Sequence, residues 1–190
     1  MIRLGILGST RGTNMLTLID AINKGHLSAT IEVVISNKSQ AIILERAVQH
    51  GLHAEFLSPE GLSRCEYDQE ISKRLRHYQV DLVVLIGYMR ILSPEFVTIW
   101  HDKVINIHPS LLPAFAGKMD IEVHKAVLDS GVKETGCTVH YVTERVDEGP
   151  IVLQKKCFVL ADDTIDSLKQ RVQELEGVAL VDAIQSIAKQ

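Results

Sequence analysis

Leu82-Val83-Val84-Leu85-Ile86 is apolar at every position, and Gly87-Tyr88 follows it directly. A strand with one face in water alternates apolar and polar residues, so an unbroken run marks a strand covered on both faces. Such strands belong to parallel sheets flanked by helices, and the surrounding sequence supplies both. Upstream, residues 2–7 form a short apolar run, and 13–23 carry helical spacing through Leu16, Ile19 and Ile22. Residues 31–35 return to β character, 41–50 read as a helix ending at Gly51, and 53–57 as a third short strand. A charged helix over 66–78 repeats apolar positions at Ile71, Leu75 and Tyr78.

Downstream, Ser93-Pro94-Glu95 opens a short helix with a capping serine and a proline in the first turn. Val104-Ile105-Asn106-Ile107-His108 is the next strand, stopped by Pro109 and Pro113. Strands alternating with helices build right-handed βαβ units. The second half changes character. Residues 135–142 and 150–159 are strand-like and joined by a short Asp147-Glu148-Gly149 turn, which predicts an antiparallel hairpin at one edge. Asp163-Thr164 starts a final helix with Ile165, Leu168, Val172, Leu175 and Ala179 on one face. The expected fold is α/β: a single-domain, Rossmann-like open twisted sheet over residues 1–190, mostly parallel, with an antiparallel edge hairpin and a C-terminal helix.

At 190 residues the chain can bury one sizeable core and has no room for a large second domain. A formal charge of −4 argues against a general nucleic-acid binder, yet a few local amides and cations suffice for a small anionic substrate. Cys65, Cys137 and Cys157 form no close pair and no metal spacing, which favours a reducing compartment. The chain opens directly on a strand pattern without signal-peptide architecture, and no apolar stretch is long enough to span a membrane. The expectation is a soluble, cytoplasmic protein, monomer or homodimer, that acts on small molecules and has no membrane or nucleic-acid partner.

Two segments carry candidate chemistry. In the 104–108 strand, period-2 geometry puts Asn106 and His108 on one face and at the carboxyl end, where open parallel sheets bind ligands. An amide donor beside a group that exchanges a proton near neutral pH suits a reaction in which a carbonyl oxygen becomes negative. A distant Asp could orient the imidazole. By itself an Asn-x-His also reads as a strand-end histidine hydrogen-bonded in a loop. The second segment, Gly8-Ser9-Thr10-Arg11-Gly12-Thr13-Asn14, joins the first strand to the first helix. Its glycines and the helix N-terminus can cradle an anion, although the Lys of a P-loop and the GxGxxG spacing are both missing. A simple strand-to-helix turn is the other reading.

Asn106-Ile107-His108-Pro109-Ser110-Leu111-Leu112-Pro113 resembles the signature of the folate-dependent formyltransferases. The similarity covers nearly the whole chain, including Ser36-Asn37-Lys38, Gly87-Tyr88-Met89-Arg90-Ile91-Leu92-Ser93-Pro94, Asp147-Glu148-Gly149-Pro150 and Arg171-Val172-Gln173-Glu174-Leu175-Glu176. The resemblance implies transfer of a formyl group from 10-formyltetrahydrofolate, as co-substrate and without a metal. The acceptor would be the amine of N1-(5-phosphoribosyl)glycinamide, in de novo purine (IMP) synthesis. It further implies that Gly12, Thr13 and Asn14 hold the ribonucleotide phosphate, and that Gln173 and Glu176 contact the ribonucleotide. Arg64 would meet the folate glutamate tail, and Met89, Arg90, Ile91 and Leu92 would line the pterin pocket, largely through the main chain. Thr143 to Asp147 would close over the folate, with Asn106, Thr143 and Asp147 among the folate-binding residues. On this view the N-terminal half binds phosphate, and the C-terminal half binds folate and carries the catalysis.

By the same resemblance Asn106, His108 and Asp147 are catalytic. Asn106 and a protonated His108 would stabilise the tetrahedral oxyanion, His108 would protonate the leaving nitrogen, and Asp147 would raise the His108 pKa and hold a water. The chain departs from the common family form at Arg11-Gly12-Thr13-Asn14, where Asn-Gly-Ser-Asn is usual. It also departs at Lys118-Met119-Asp120-Ile121-Glu122-Val123-His124, which is longer than in many relatives. Rival readings are a formyltetrahydrofolate hydrolase, a formyltransferase for another amine or for a tRNA, a non-catalytic nucleotide-binding module, and a metal site from His108, His140 and Asp147. The hydrolase and the tRNA enzyme resemble chains with a further domain, and the last two readings explain fewer residues.

Overall fold

The computed structural model describes residues 1–189. In chain order the elements are β1 (Ile2–Leu7), α1 (Thr13–Asn23), β2 (Ala29–Ser36), α2 (Ile42–Gln49), β3 (Ala54–Phe56), α3 (Arg64–His77) and β4 (Leu82–Leu85). There follow α4 (Pro94–Ile99), β5 (Val104–His108), α5 (Ile121–Ser130), β6 (Glu134–Tyr141), β7 (Ile151–Phe158) and α6 (Ile165–Ile187). All seven strands form one sheet in the order β3-β2-β1-β4-β5-β6-β7. The first five are parallel, and β6 runs antiparallel to both β5 and β7.

The apolar run in β4 is buried as its composition requires. Leu82 and Val84 enter one hydrophobic cluster with residues of α1, α2, α5 and α6, while Val83 and Leu85 enter a second with residues of α3 and α4. Each such buried side chain is worth about 1.5–3 kcal/mol relative to exposure, so both layers of helices are held by the same strand. In β5, Ile105 and Ile107 join the first cluster and Val104 the second. Asn106 and His108 continue the Val104 side past the end of the core.

Helix starts follow local capping. Ser63 and Glu66 form a reciprocal capping box that starts α3 two residues earlier than its apolar spacing suggests, and Thr164 caps α6. Two features differ from the sequence reading. The connection between β6 and β7 is a loop over 142–150 rather than a short turn, and it carries Asp147 in a left-handed conformation, φ 57°. Helix α5 occupies a stretch for which the sequence suggested no element. Its N-cap, Asp120, has φ 45° and makes no side-chain capping bond, and burial of Val123, His124 and Val127 holds the helix in place. No helix among the described residues is long and apolar enough to cross a membrane.

Candidate active site

The carboxyl ends of β1, β4 and β5 and the loop before β7 converge on one edge of the sheet. Antiparallel pairing sets Asn106 directly opposite His140 and His108 opposite Thr138. His140 Nδ1 lies 2.9 Å from the Tyr141 carbonyl, a contact that requires the proton on Nδ1. Its Nε2 is 3.2 Å from Asn106 Nδ2 and 3.6 Å from Asp147 Oδ1. The bare Nε2 therefore accepts one amide N–H of Asn106 and leaves the second for another partner. His140 entered the sequence reading only as a possible metal ligand. The strand register makes it the support of Asn106.

Asp147 binds the centre together. Its Oδ2 lies 3.3 Å from His108 Nδ1 and accepts the Gly117 N–H at 2.9 Å. Burial by itself raises the pKa of this carboxyl. The Gly117 N–H and the two neighbouring imidazoles, His140 and His108, outweigh burial, so the group is held below the usual carboxylate range and stays charged.

At His108 both ring nitrogens face acceptors, Asp147 Oδ2 on one side and the Phe115 carbonyl at 3.2 Å on the other. That geometry favours the imidazolium, as expected from the sequence. Burial opposes it more strongly, with His140 adding to the effect, and the pKa of His108 is lowered from its ordinary value. Asp147 raises the His108 pKa as expected, and it is the expectation of a protonated His108 that burial opposes. Asp147 pulls upward, but the buried ring loses more hydration than the carboxylate returns. The downward shift favours the neutral ring in the free protein. No group of three His, Cys, Asp or Glu among the described residues is arranged to hold a metal ion.

The anion loop lies at the start of α1. Gly12 caps the helix with φ 67°, and a Cβ there would stand 2.4 Å from Ile43 Cγ1. Only glycine fits this backbone and this close packing. Thr13 is the first helical residue, and the buried Asn14 donates from Nδ2 to Glu176 Oε2 at 2.8 Å across 162 residues of sequence. Burial pushes the Glu176 carboxyl up to about 7, against the lowering effect of the Asn14 bond. Gln173 is half-buried one turn before Glu176 on α6. The structure thus joins Gly12, Thr13 and Asn14 to the last helix.

After β4, Met89 and Ile91 are exposed at 44% and 59%, whereas Leu92 packs into the second cluster. The Arg90 guanidinium lies 4.6 Å from the centre of the Tyr67 ring. Of the four expected folate-lining residues, Met89 and Ile91 present their side chains outward, and Arg90 and Leu92 turn inward. Thr143 donates its hydroxyl to the Arg145 carbonyl and so shapes the Asp147 loop. Arg64 stands apart, exposed in the first turn of α3.

A family model described as formyl transferase matches residues 2–184. The phosphoribosylglycinamide formyltransferase of Escherichia coli is 41% identical over 172 residues, which are 90% of this chain and 80% of that protein. The chicken trifunctional purine biosynthetic protein adenosine-3 is 40% identical over 98% of this chain, and the chain spans only 18% of that much longer protein. Among solved structures, glycinamide ribonucleotide transformylase 1 of Symbiobacterium toebii superimposes with a TM-score of 0.94 at 42% identity, covering 100% of this chain and 88% of that one.

Proposed function

The chain belongs to the formyl transferase family, and from that membership we propose that it transfers the formyl group of 10-formyltetrahydrofolate to the amine of N1-(5-phosphoribosyl)glycinamide, a step of purine synthesis. The observation that carries this reading is the Asn106–His108–Asp147 centre set beside an anion cradle on the same sheet edge. The cradle at Gly12, Thr13 and Asn14 takes the phosphate on backbone N–H groups at the positive end of α1. Glu176, with Gln173 one turn away, takes the ribose hydroxyls. The folate lies between the outward faces of Met89 and Ile91 and the Thr143 to Asp147 loop, with the main chain at Arg90 and Leu92 meeting the pterin and Arg64 meeting the glutamate tail. Both substrates are small molecules, no metal is assigned to the site, and the reaction belongs to the cytoplasm.

The chemistry follows from the charges at the site. The neutral amine attacks the formyl carbon, and the carbonyl electrons move to oxygen. The free N–H of Asn106 donates to that oxyanion while His140 holds the amide in orientation. A neutral His108 takes the proton that the attacking nitrogen sheds. The resulting imidazolium is stabilised by Asp147 and passes the proton to the folate nitrogen as the carbon–nitrogen bond breaks. The lowered His108 pKa favours this shuttle, because the ring starts as a base and ends each cycle as one.

Loss of formyl from 10-formyltetrahydrofolate, followed with and without the ribonucleotide, tests the reading. Turnover is expected to require the amine, and equal turnover with water alone would identify a hydrolase instead. Gly12→Val tests the cradle. A β-branched side chain at φ 67° and against Ile43 is expected to weaken ribonucleotide binding about tenfold or more by removing backbone contacts to the phosphate. It is also expected to cost about 1–3 kcal/mol of stability. Titration with ribonucleotide and thermal unfolding measure the two effects, and parental affinity in this variant would place the phosphate elsewhere.

A further inference from the structure

Ser36-Asn37-Lys38 stands among the segments that resemble the family, yet the reaction above uses none of its side chains. Its place in the fold gives it one. The strand order β2-β1-β4 sets the loops after these three strands side by side at the carboxyl edge. Asn37 follows β2, Ser9 follows β1, and Met89 follows β4. The Ser9 hydroxyl, 3% exposed, donates to Asn37 Oδ1 at 2.6 Å and accepts the Met89 N–H at 2.9 Å. The Ser9 N–H also donates to the Gly87 carbonyl at 3.1 Å. Gly87 has φ 57°, and a Cβ there would stand 2.2 Å from Thr10 Oγ1, so the two loops meet without a gap. On the far side, the Lys38 N–H donates to Ser36 Oγ at 3.1 Å and fixes the turn that presents Asn37.

We propose that Asn37 and Ser9 are positioning residues for the folate: a two-bond relay in which Asn37 sets the direction of the Ser9 hydroxyl and Ser9 sets the Met89 peptide. The inference rests on the reading that Met89 to Leu92 form a wall of the folate site. A hydroxyl carries one proton. With that proton given to Asn37 Oδ1, only lone pairs face Met89, and the Met89 N–H is held as a donor to them. The direction of the Met89 peptide governs where the following main-chain groups point, and these are the groups assigned to the pterin. Without Asn37 the hydroxyl can turn its proton toward Met89, and the peptide loses its fixed acceptor. The relay also ties the folate wall to the loop that opens the phosphate cradle.

The test uses the full chain, with tetrahydrofolate as the calorimetric probe and transfer kinetics for both substrates. Ser9→Ala is expected to weaken tetrahydrofolate binding about fivefold, the equivalent of one hydrogen bond, and to raise the folate KM in the same ratio. The ribonucleotide KM is expected to move less than about twofold, because the backbone donors of the cradle stay in place. Asn37→Ala leaves the hydroxyl present but free to turn and is expected to lose somewhat less. Added to Ser9→Ala it is expected to cost nothing further, since Asn37 acts through Ser9.

Additive losses, or equal rises in both KM values, are the signature of general loosening and overturn the relay. Unchanged tetrahydrofolate affinity in both single variants overturns it too, while the parental chain's binding keeps the folate reading intact. A parental chain that does not bind tetrahydrofolate overturns both. If Ser9→Ala does not fold, Asn37→Ala at its half-buried loop position decides by the same split between the two KM values.

Discussion

Replacing His108 by alanine is expected to slow formyl transfer by roughly 10²–10⁴-fold, the usual worth of a positioned acid–base group. The structure explains why the loss falls on the chemical step. His108 is buried at the end of β5, with one ring nitrogen on Asp147 and the other toward the Phe115 carbonyl, and the ribonucleotide cradle lies on α1 and α6. Ribonucleotide affinity is therefore expected to stay near the parental value while kcat collapses. Single-turnover measurement with saturating substrates separates the two quantities. A His108→Ala enzyme that keeps its single-turnover rate would remove the proton shuttle from the mechanism.

Asp147→Asn is expected to have the second largest effect and to leave a distinctive pH dependence. In the parental protein burial lowers the His108 pKa and the Asp147 charge partly restores it. Removing the charge leaves burial unopposed, so the pKa falls further. Because the neutral ring starts the reaction, kcat/KM falls on the acid side as His108 takes up a proton. That limb is expected below the ordinary imidazole range in the parental enzyme and at still lower pH in Asp147→Asn. The plateau is expected to drop as well, since the imidazolium formed during the reaction loses its counter-charge. Coincident acid limbs in the two pH–rate profiles would show that Asp147 does not act through His108.

The layered α/β fold was legible because its signals are local. The apolar run of β4, the alternation in β5 and the caps at Ser93 and Thr164 each depend on a few neighbouring residues. The shared face of Asn106 and His108 follows from the period of a strand alone. Helix α5 is flanked by Asp120 and Gly131, residue types that suit helix ends, but Asp120 makes no capping bond and the helix is held by what it packs against.

Tertiary structure alone decided the rest of the site. Strand register brought His140 opposite Asn106, and a one-residue slip would have turned it to the other face. The loop before β7 folded back to set Asp147 between the two imidazoles, and the depth of burial then gave the His108 shift its downward sign. Asn14 met Glu176 across most of the chain, and the β2-β1-β4 order lined up Asn37, Ser9 and Met89. The sequence by itself determined which residue types stand at the ends of strands, since periodicity is written residue by residue. Which of those ends touch, and how dry the contact is, depended on the packing of segments far apart in the chain, where desolvation and hydrogen-bond geometry set the chemistry.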